Sequence, residues 1–349
     1  MDYTYQTSEC MPRYYPVVVF RGFLNLEDGK EPRLINRGNF RRGDWGDATS
    51  YIVISRQTFP MPVSISLKWG AITEGKAYSL EAPLDKKKIE QLWEKKDKNG
   101  EPLYEFIVVG IAPYGEVAVW LRGNFHSTLL NWFKGEEIDE EQVRDYLQGV
   151  SLEEYCRLSL EQNEDIKEHL EEKGLPALNL FDDWMKQYRY RYIGLEEYYD
   201  GEQWQPYDDE DLYFDDLDFD DIREERFDGT HDLLCDDGLL KYHEAGCPKR
   251  LCVNWQVGRD NYSLYYWFDE QLAPQFFKQY FMMNAVEKAD IMLRIDTRAN
   301  QYEIVFKNDG MPTPQVMPAD TYQLLVFLND NEHYRSENFD LEDEEAWDW

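Results

Sequence analysis

The sequence predicts an α+β protein built from two related β-β-α-β-β lobes of mostly antiparallel sheet, joined by a helical and acidic middle. Two observations carry this. "PVSISLKW" (Pro62 to Trp69) and "PKRLCVNW" (Pro248 to Trp255) share one Pro-to-Trp spacing. Each is followed by a tyrosine-containing strand ("GKAYSLEA"; "NYSLYYWF"), an acidic helix opening and a strand pair. The expected parts are an N-terminal lobe over 1–135, a connecting region over 136–246, a second lobe over 247–330 and an acidic tail over 331–349.

In order, "YYPVVVF" is a short apolar run bounded by turn residues and reads as a strand. "LEDGKEP" is a turn, with Asp-Gly supplying the positive φ. "NRGNFRRGDWGDATS" is a loop carrying Arg37, Arg41, Arg42 and Trp45. "YIVIS" and "VSISLKW" are strands by β-branched content and alternation. "LDKKKIEQLWEKK" is helical, with Asp85 as cap and Ile89, Leu92 and Trp93 on one face. "YEFIVVGIAPYGEVAVWL" is two strands around an Ala-Pro-Tyr-Gly turn. Glu136 to Lys173 reads as helical; Ser151 opens a capping box, and Gly174 with Pro176 closes the run. In "YRYRY", alternation puts Arg189 and Arg191 on one strand face and Tyr188, Tyr190 and Tyr192 on the other. In the second lobe, Asp269 opens the helix and Pro274 delays its start.

At 349 residues with 42% hydrophobic side chains the chain can bury a large core. The formal net charge of -33 disfavours direct contact with nucleic acid or anionic lipid and favours a basic partner. No stretch reaches the ~18 apolar residues of a membrane-spanning helix. The start has neither a basic nor an apolar leader region, so a cytoplasmic location is expected for the sequence as written. Five cysteines without CxxC spacing argue against a zinc module or a disulfide framework.

Phosphate-loop, dinucleotide, zincin and nucleophile-elbow motifs are all missing. His231 and His243 flank Cys235 and Asp236 at a spacing that fits no standard zinc pattern. Asp216, Asp218 and Asp220 begin a calcium-loop pattern, which fails at Asp221 and Phe227, where it needs Gly and Glu. Neither metal, cofactor nor catalytic residue is therefore expected, and the chain reads as a non-enzyme.

The most unusual stretch is "YDDEDLYFDDLDFDDIREERFDG" (Tyr207 to Gly229). Its acids are too crowded for unpaired burial and its aromatics too many for a plain solvated linker. It is expected at the surface, with Asp208 to Asp221 facing solvent or a basic partner. The contact residues expected are Asp215, Asp216, Asp218, Asp220 and Asp221 for steering and Tyr213, Phe214 and Phe219 as anchors, with Arg41 and Trp45 next.

The ordered set "YYPVVVFRGFLNLEDGK", "GDWG", "PVSISLKWGAITEGKAYSL", "EFIVVGIAPYGEVAVWLRG", "YRYRY", "YYDGEQW" and "PKRLCVNWQ" resembles a family of bacterial lipoproteins known mainly as a domain of unknown function. Its members are often encoded beside type VI secretion phospholipase effectors and are taken as their immunity proteins. The resemblance spans about Tyr14 to Leu328 and implies a non-catalytic protein that binds a secreted effector, plausibly a lipase or phospholipase. Two departures are visible: the sequence as written begins without the export signal and lipobox cysteine of typical members, and the acidic run is additional to the pattern. A periplasmic lipoprotein would need an export segment ahead of Met1. The alternatives are a hydrolase or carbohydrate-active protein using buried carboxylates, and an acidic DNA mimic.

Overall fold

The computed structural model describes the chain except residues 1, 36–37, 41–44, 49–57, 97–98, 207–218, 236–237, 240, 311–312 and 340–349. "YIVIS" lies outside the described residues. The chain is mixed α+β, dominated by antiparallel strands. It divides into unit 1, Met1–Phe181 with Asp228–Thr230, and unit 2, Asp182–Phe227 with His231–Trp349.

Unit 1 contains β1 (Gln6–Cys10), β2 (Val17–Leu26), β3 (Pro62–Ala71), β4 (Lys76–Pro83), α1 (Lys86–Trp93), β5 (Phe106–Ile111), β6 (Glu116–Arg122), β7 (Ser127–Lys134), β8 (Glu136–Ile138), α2 (Leu152–Leu160) and α3 (Glu164–Glu172). One set of strands runs β8-β4-β3-β2 and the other β1-β5-β6-β7. All these pairs are antiparallel except β1 with β5.

Alternation explains the packing. Ile65, Leu67 and Trp69 point from β3 into a core shared with Ile89 of α1 and with Ile107, Val109, Val119 and Leu121 of β5 and β6. Asp85 caps α1 by accepting from the Lys88 N–H at 3.0 Å, and Ser151 caps α2 by accepting from the Glu154 N–H at 3.1 Å. Both satisfy amides that the first helical turn leaves unpaired.

The expected helix from Glu136 begins differently. Residues 136–138 form β8 and pair with Ala77, Tyr78 and Ser79, and the α-helix of this stretch, α2, starts at Leu152. A free sheet edge takes up these residues, which carry little helical signal of their own. Val143, Leu147, Leu152 and Cys156 then cover Val18, Phe20 and Ala77 on the far side of the sheet, forming a second core.

Unit 2 contains β9 (Tyr188–Tyr199), β10 (Phe219–Arg226), β11 (His231–Cys235), β12 (Pro248–Val257), β13 (Asp260–Phe268), α4 (Leu272–Lys278), β14 (Ala289–Asp296), β15 (Gln301–Lys307), β16 (Gln315–Val316), β17 (Tyr322–Leu328) and β18 (Asn331–Arg335). One set runs β11-β10-β12-β13-β17-β18, the other β9-β14-β15-β16, with the β9–β14 pair parallel. Trp69 stacks on its cross-strand neighbour Tyr78 at 5.6 Å, and Trp255 on Tyr262 at 5.1 Å.

Helix α4 starts at Leu272, ahead of Pro274, so the proline does not delay it. Pro274 sits in the first turn, and the Glu270 carbonyl that its missing N–H would serve accepts from Trp184 Nε1 at 3.0 Å instead. The Asp269 carboxylate accepts from the Gln271 and Leu272 N–H groups, both at 2.8 Å.

The division at residues 181/182 differs from the expected boundaries at 135/136 and 246/247. The reason is pairing: β8 ties the following segment to unit 1, while β9 and β10 find their partners β14 and β12 far along the chain. Among the described residues, no helix is long and apolar enough to cross a membrane.

Candidate functional site

Of the expected contact residues, Arg41, Tyr213, Phe214, Asp215, Asp216 and Asp218 lie outside the described residues. The described end of the acidic run is strand β10, in which Ile222, Glu224 and Arg226 are buried. Asp220 is exposed. Asp221 accepts from Asn254 Nδ2 at 2.9 Å, and Asn254 Oδ1 in turn accepts from Ser263 at 2.7 Å. Phe219 is half-buried, edge-on to Trp255 with ring centroids 6.5 Å apart.

The run does not stay at the surface throughout. Glu224 is fully buried in unit 2, because four hydrogen bonds, two from β9 and two from its own strand, converge on it. Its Oε1 accepts from Tyr190 at 2.6 Å and Tyr192 at 2.5 Å, both on β9. Its Oε2 accepts from Arg226 Nε at 3.0 Å and Nη2 at 2.7 Å. His243 Nε2 stands 3.5 Å from the same oxygen, an ion-pair distance rather than a tight hydrogen bond. Arg226 also reaches Asp232 at 3.0 Å, and the Gly246 carbonyl lies 2.8 Å from the Tyr190 hydroxyl, sharing its single proton with Glu224.

Burial alone would push the Glu224 carboxyl up. The Arg226 guanidinium, with His243 and the tyrosine hydroxyl, outweighs that and holds it well below the usual carboxylate range. Both tyrosine hydroxyls are pushed up by burial and by the carboxylate. A carboxylate accepting on both oxygens, beside a committed guanidinium, is poorly placed to take a proton from a substrate. The cluster orders the core of unit 2.

Nothing in the overall composition pointed to Glu224. The signal was local: Ile222, Glu224 and Arg226 alternate as strand residues do, and a Glu and an Arg two apart on one strand face can pair. The "YRYRY" alternation is seen as expected. Tyr188, Tyr190 and Tyr192 are buried, whereas Arg189 is exposed and Arg191 pairs with Asp290 at 2.7 Å. The Arg191 guanidinium also lies 4.7 Å from the centre of the Tyr242 ring.

Trp45 is corrected from a surface contact to a core ring. It is 5% exposed and meets Trp120 and Trp132 edge-on, at 5.0 and 6.0 Å. Gly46 and Gly229, both of positive φ, lie back to back beneath Trp120 in unit 1, where a Cβ on either would strike backbone or indole. Asp228 is buried there too: it accepts from the Thr230 N–H at 2.9 Å and Oγ1 at 2.6 Å, and its carbonyl accepts from Trp120 Nε1 at 3.0 Å. Trp45 packs inward because Gly46 and Gly229 allow this close approach.

His231 is buried at the start of β11 and His243 lies beside Glu224. Among the described residues, no three His, Cys, Asp or Glu side chains are grouped to hold a metal. All five cysteines are free thiols, four of them buried and Cys235 exposed.

A family described as a protein of unknown function, DUF2931, matches residues 2–177. No curated protein and no solved structure matches the chain.

Proposed function

The chain belongs to the DUF2931 family, and from that premise we propose that it is a non-catalytic binding protein. Its proposed task is that of an immunity protein that captures and neutralises a secreted antibacterial effector, of the lipase or phospholipase class that the sequence resemblance implies.

The observation that carries this reading is the segregation of charge. Glu224, the most deeply buried carboxylate among the described residues of unit 2, is committed to internal donors, while a net charge of -33 leaves a large excess of acids beyond it. Such a field speeds encounter with a basic partner and contributes to specificity more than to raw affinity. The acidic-aromatic run, with Asp215, Asp216, Asp218, Asp220 and Asp221 for steering, is the proposed contact. The shared strand order, β2-β3-β4-β8 with β1-β5-β6-β7 and β10-β12-β13-β17 with β9-β14-β15-β16, supports reading the two units as copies of one fold. On that reading unit 2, which lies beyond the family match, has diverged toward the partner.

The test starts from the genes beside the chain's own, one of which this reading expects to encode a lipase-class effector. The chain should bind it, abolish its hydrolytic activity on titration, and restore growth to cells that produce it. Replacing the five aspartates with Asn should slow association about tenfold at low salt and flatten its salt dependence. Undiminished lipase activity at saturating chain would sink the reading.

A further inference from the structure

We infer that Arg33, at the aromatic end of the unit 1 core, is the receptor for the carboxylate of a ligand. The inference stands on unit 1 alone and does not depend on the immunity reading.

The site is built where short segments meet at a sheet edge. Arg33 and Leu34 form a two-residue strand that pairs with Phe23 and Leu24 of β2. Residues 2–4 pair with residues 58–60, which sets Tyr3 opposite Phe59, and helix α1 ends in Trp93. The rings form a row. Tyr3 stacks on Trp93 at 4.3 Å, Trp93 on Tyr5 at 5.2 Å, and Tyr5 meets Phe59 edge-on at 5.7 Å. Tyr5 is buried, while Tyr3, Phe59 and Trp93 are half-buried against the core. The Arg33 guanidinium closes the row, 3.8 Å from the centre of the Phe59 ring.

A guanidinium stacked on a ring keeps its N–H donors free to bond in its own plane. The chain holds 70 acids, yet among the described residues no carboxylate and no acceptor reaches those of Arg33. The acids nearest in sequence are engaged elsewhere: Glu27 pairs with Lys86 at 2.5 Å and Asp28 with Lys30 at 3.5 Å, and Glu31 is exposed. Arg122, Arg191, Arg226, Arg250 and Arg294 are half-buried or buried, and each holds a carboxylate. Arg33 is half-buried and holds none, and burial pushes its guanidinium down from the usual value. Unmet donors on a partly desolvated cation are destabilising, and the ring offsets only part of that. A lid over Phe59 would be made as well by a methionine, without unmet donors. The donor edge is therefore what the position retains, and it fits an acceptor brought by a ligand.

The fork of a guanidinium matches the two oxygens of a carboxylate. A chain of -33 also repels a phosphate dianion about twice as strongly as a monoanion. The half-buried rings of Tyr3 and Trp93 favour a carboxylate borne on an apolar or aromatic body.

The experiment modifies arginines with phenylglyoxal and assigns each by mass spectrometry. In the free chain Arg33 should react about fivefold faster than Arg191 and Arg294, which are also half-buried but ion-paired. Benzoate should slow Arg33 about threefold or more, whereas benzamide, its neutral isostere, and chloride at equal ionic strength should not. By calorimetry, Arg33→Met with an unchanged melt should lose the benzoate heat; if that variant does not fold, protection of the parent chain decides. Reaction of Arg33 no faster than Arg191, equal protection by benzamide, or stronger protection by inorganic phosphate overturns the inference. The effector of the preceding test then identifies the source. Protection of Arg33 in that complex assigns the carboxylate to a protein partner, and protection by benzoate alone assigns it to a free small molecule; both support the site. A chain that does not bind the effector brings down the immunity reading and leaves the benzoate result to decide this one.

Discussion

Replacing Arg226 with Met leaves the Glu224 carboxylate buried without its guanidinium. The perturbation is nearly isosteric, so packing changes little and the result isolates charge. Arg226 is 4% exposed and Glu224 0%, and the guanidinium supplies both hydrogen bonds to Oε2. Removing one partner of such a buried pair costs about 3–5 kcal/mol. For a unit of this size that lowers the melting temperature by about 6–20 °C.

The sign of the pH dependence separates charge from packing. In the parent, the Glu224 carboxyl is held below its unfolded value of about 4.3. Its contribution is therefore complete above that value and lost as pH falls through the lower folded one. In Arg226→Met, burial wins and raises the carboxyl, so the variant is penalised at neutral pH and recovers as pH falls and the group takes up a proton. The stability gap should be widest near pH 7.5 and should narrow by about half or more at pH 5. Calorimetry across that range reads it, and Glu224→Gln in the same background should remove most of the pH dependence. A deficit equal at both pH values, or below about 1 kcal/mol, would refute the claim that an ion pair holds this core.

Three more outcomes follow from local geometry. Gly229→Ala should destabilise the chain by about 2–4 kcal/mol, because φ is +76° and the new Cβ would lie 2.6 Å from the Trp120 indole; a melt within 2 °C of the parent, taken as about 1 kcal/mol, would contradict this. In a thiol-titration time course the exposed Cys235 should react first; Cys10, Cys156 and Cys252, whose thiols burial pushes up (to about 11 for the last two), should react only on unfolding. Asp85→Ala should cost about 1 kcal/mol by chemical denaturation, and Asp85→Asn much less, since Asn also caps.

The sequence by itself determined what depends on near neighbours along the chain. Asp85 and Ser151 cap their helices because capping is settled within three residues. The strands from Pro62 and Pro248 form where apolar alternation and bounding turns place them, and "YRYRY" divides its two residue types between two faces for the same reason. Composition likewise determined the acidic character, and the order of strand and helix patterns the mixed α+β class. The tertiary structure decided everything that rests on residues far apart. Tyr190 of β9 pairs with Ala289 of β14, a match that no local periodicity encodes, and it sets where unit 2 begins. Trp45 turns inward because glycines at 46 and 229, remote in sequence, let two backbones meet. Glu224 lies in an acidic run that composition alone assigns to solvent. It is buried because tyrosines on a strand more than thirty residues earlier, together with a nearby arginine, supply donors for both its oxygens. A charge can leave water only where such donors converge, and their convergence is a property of the fold.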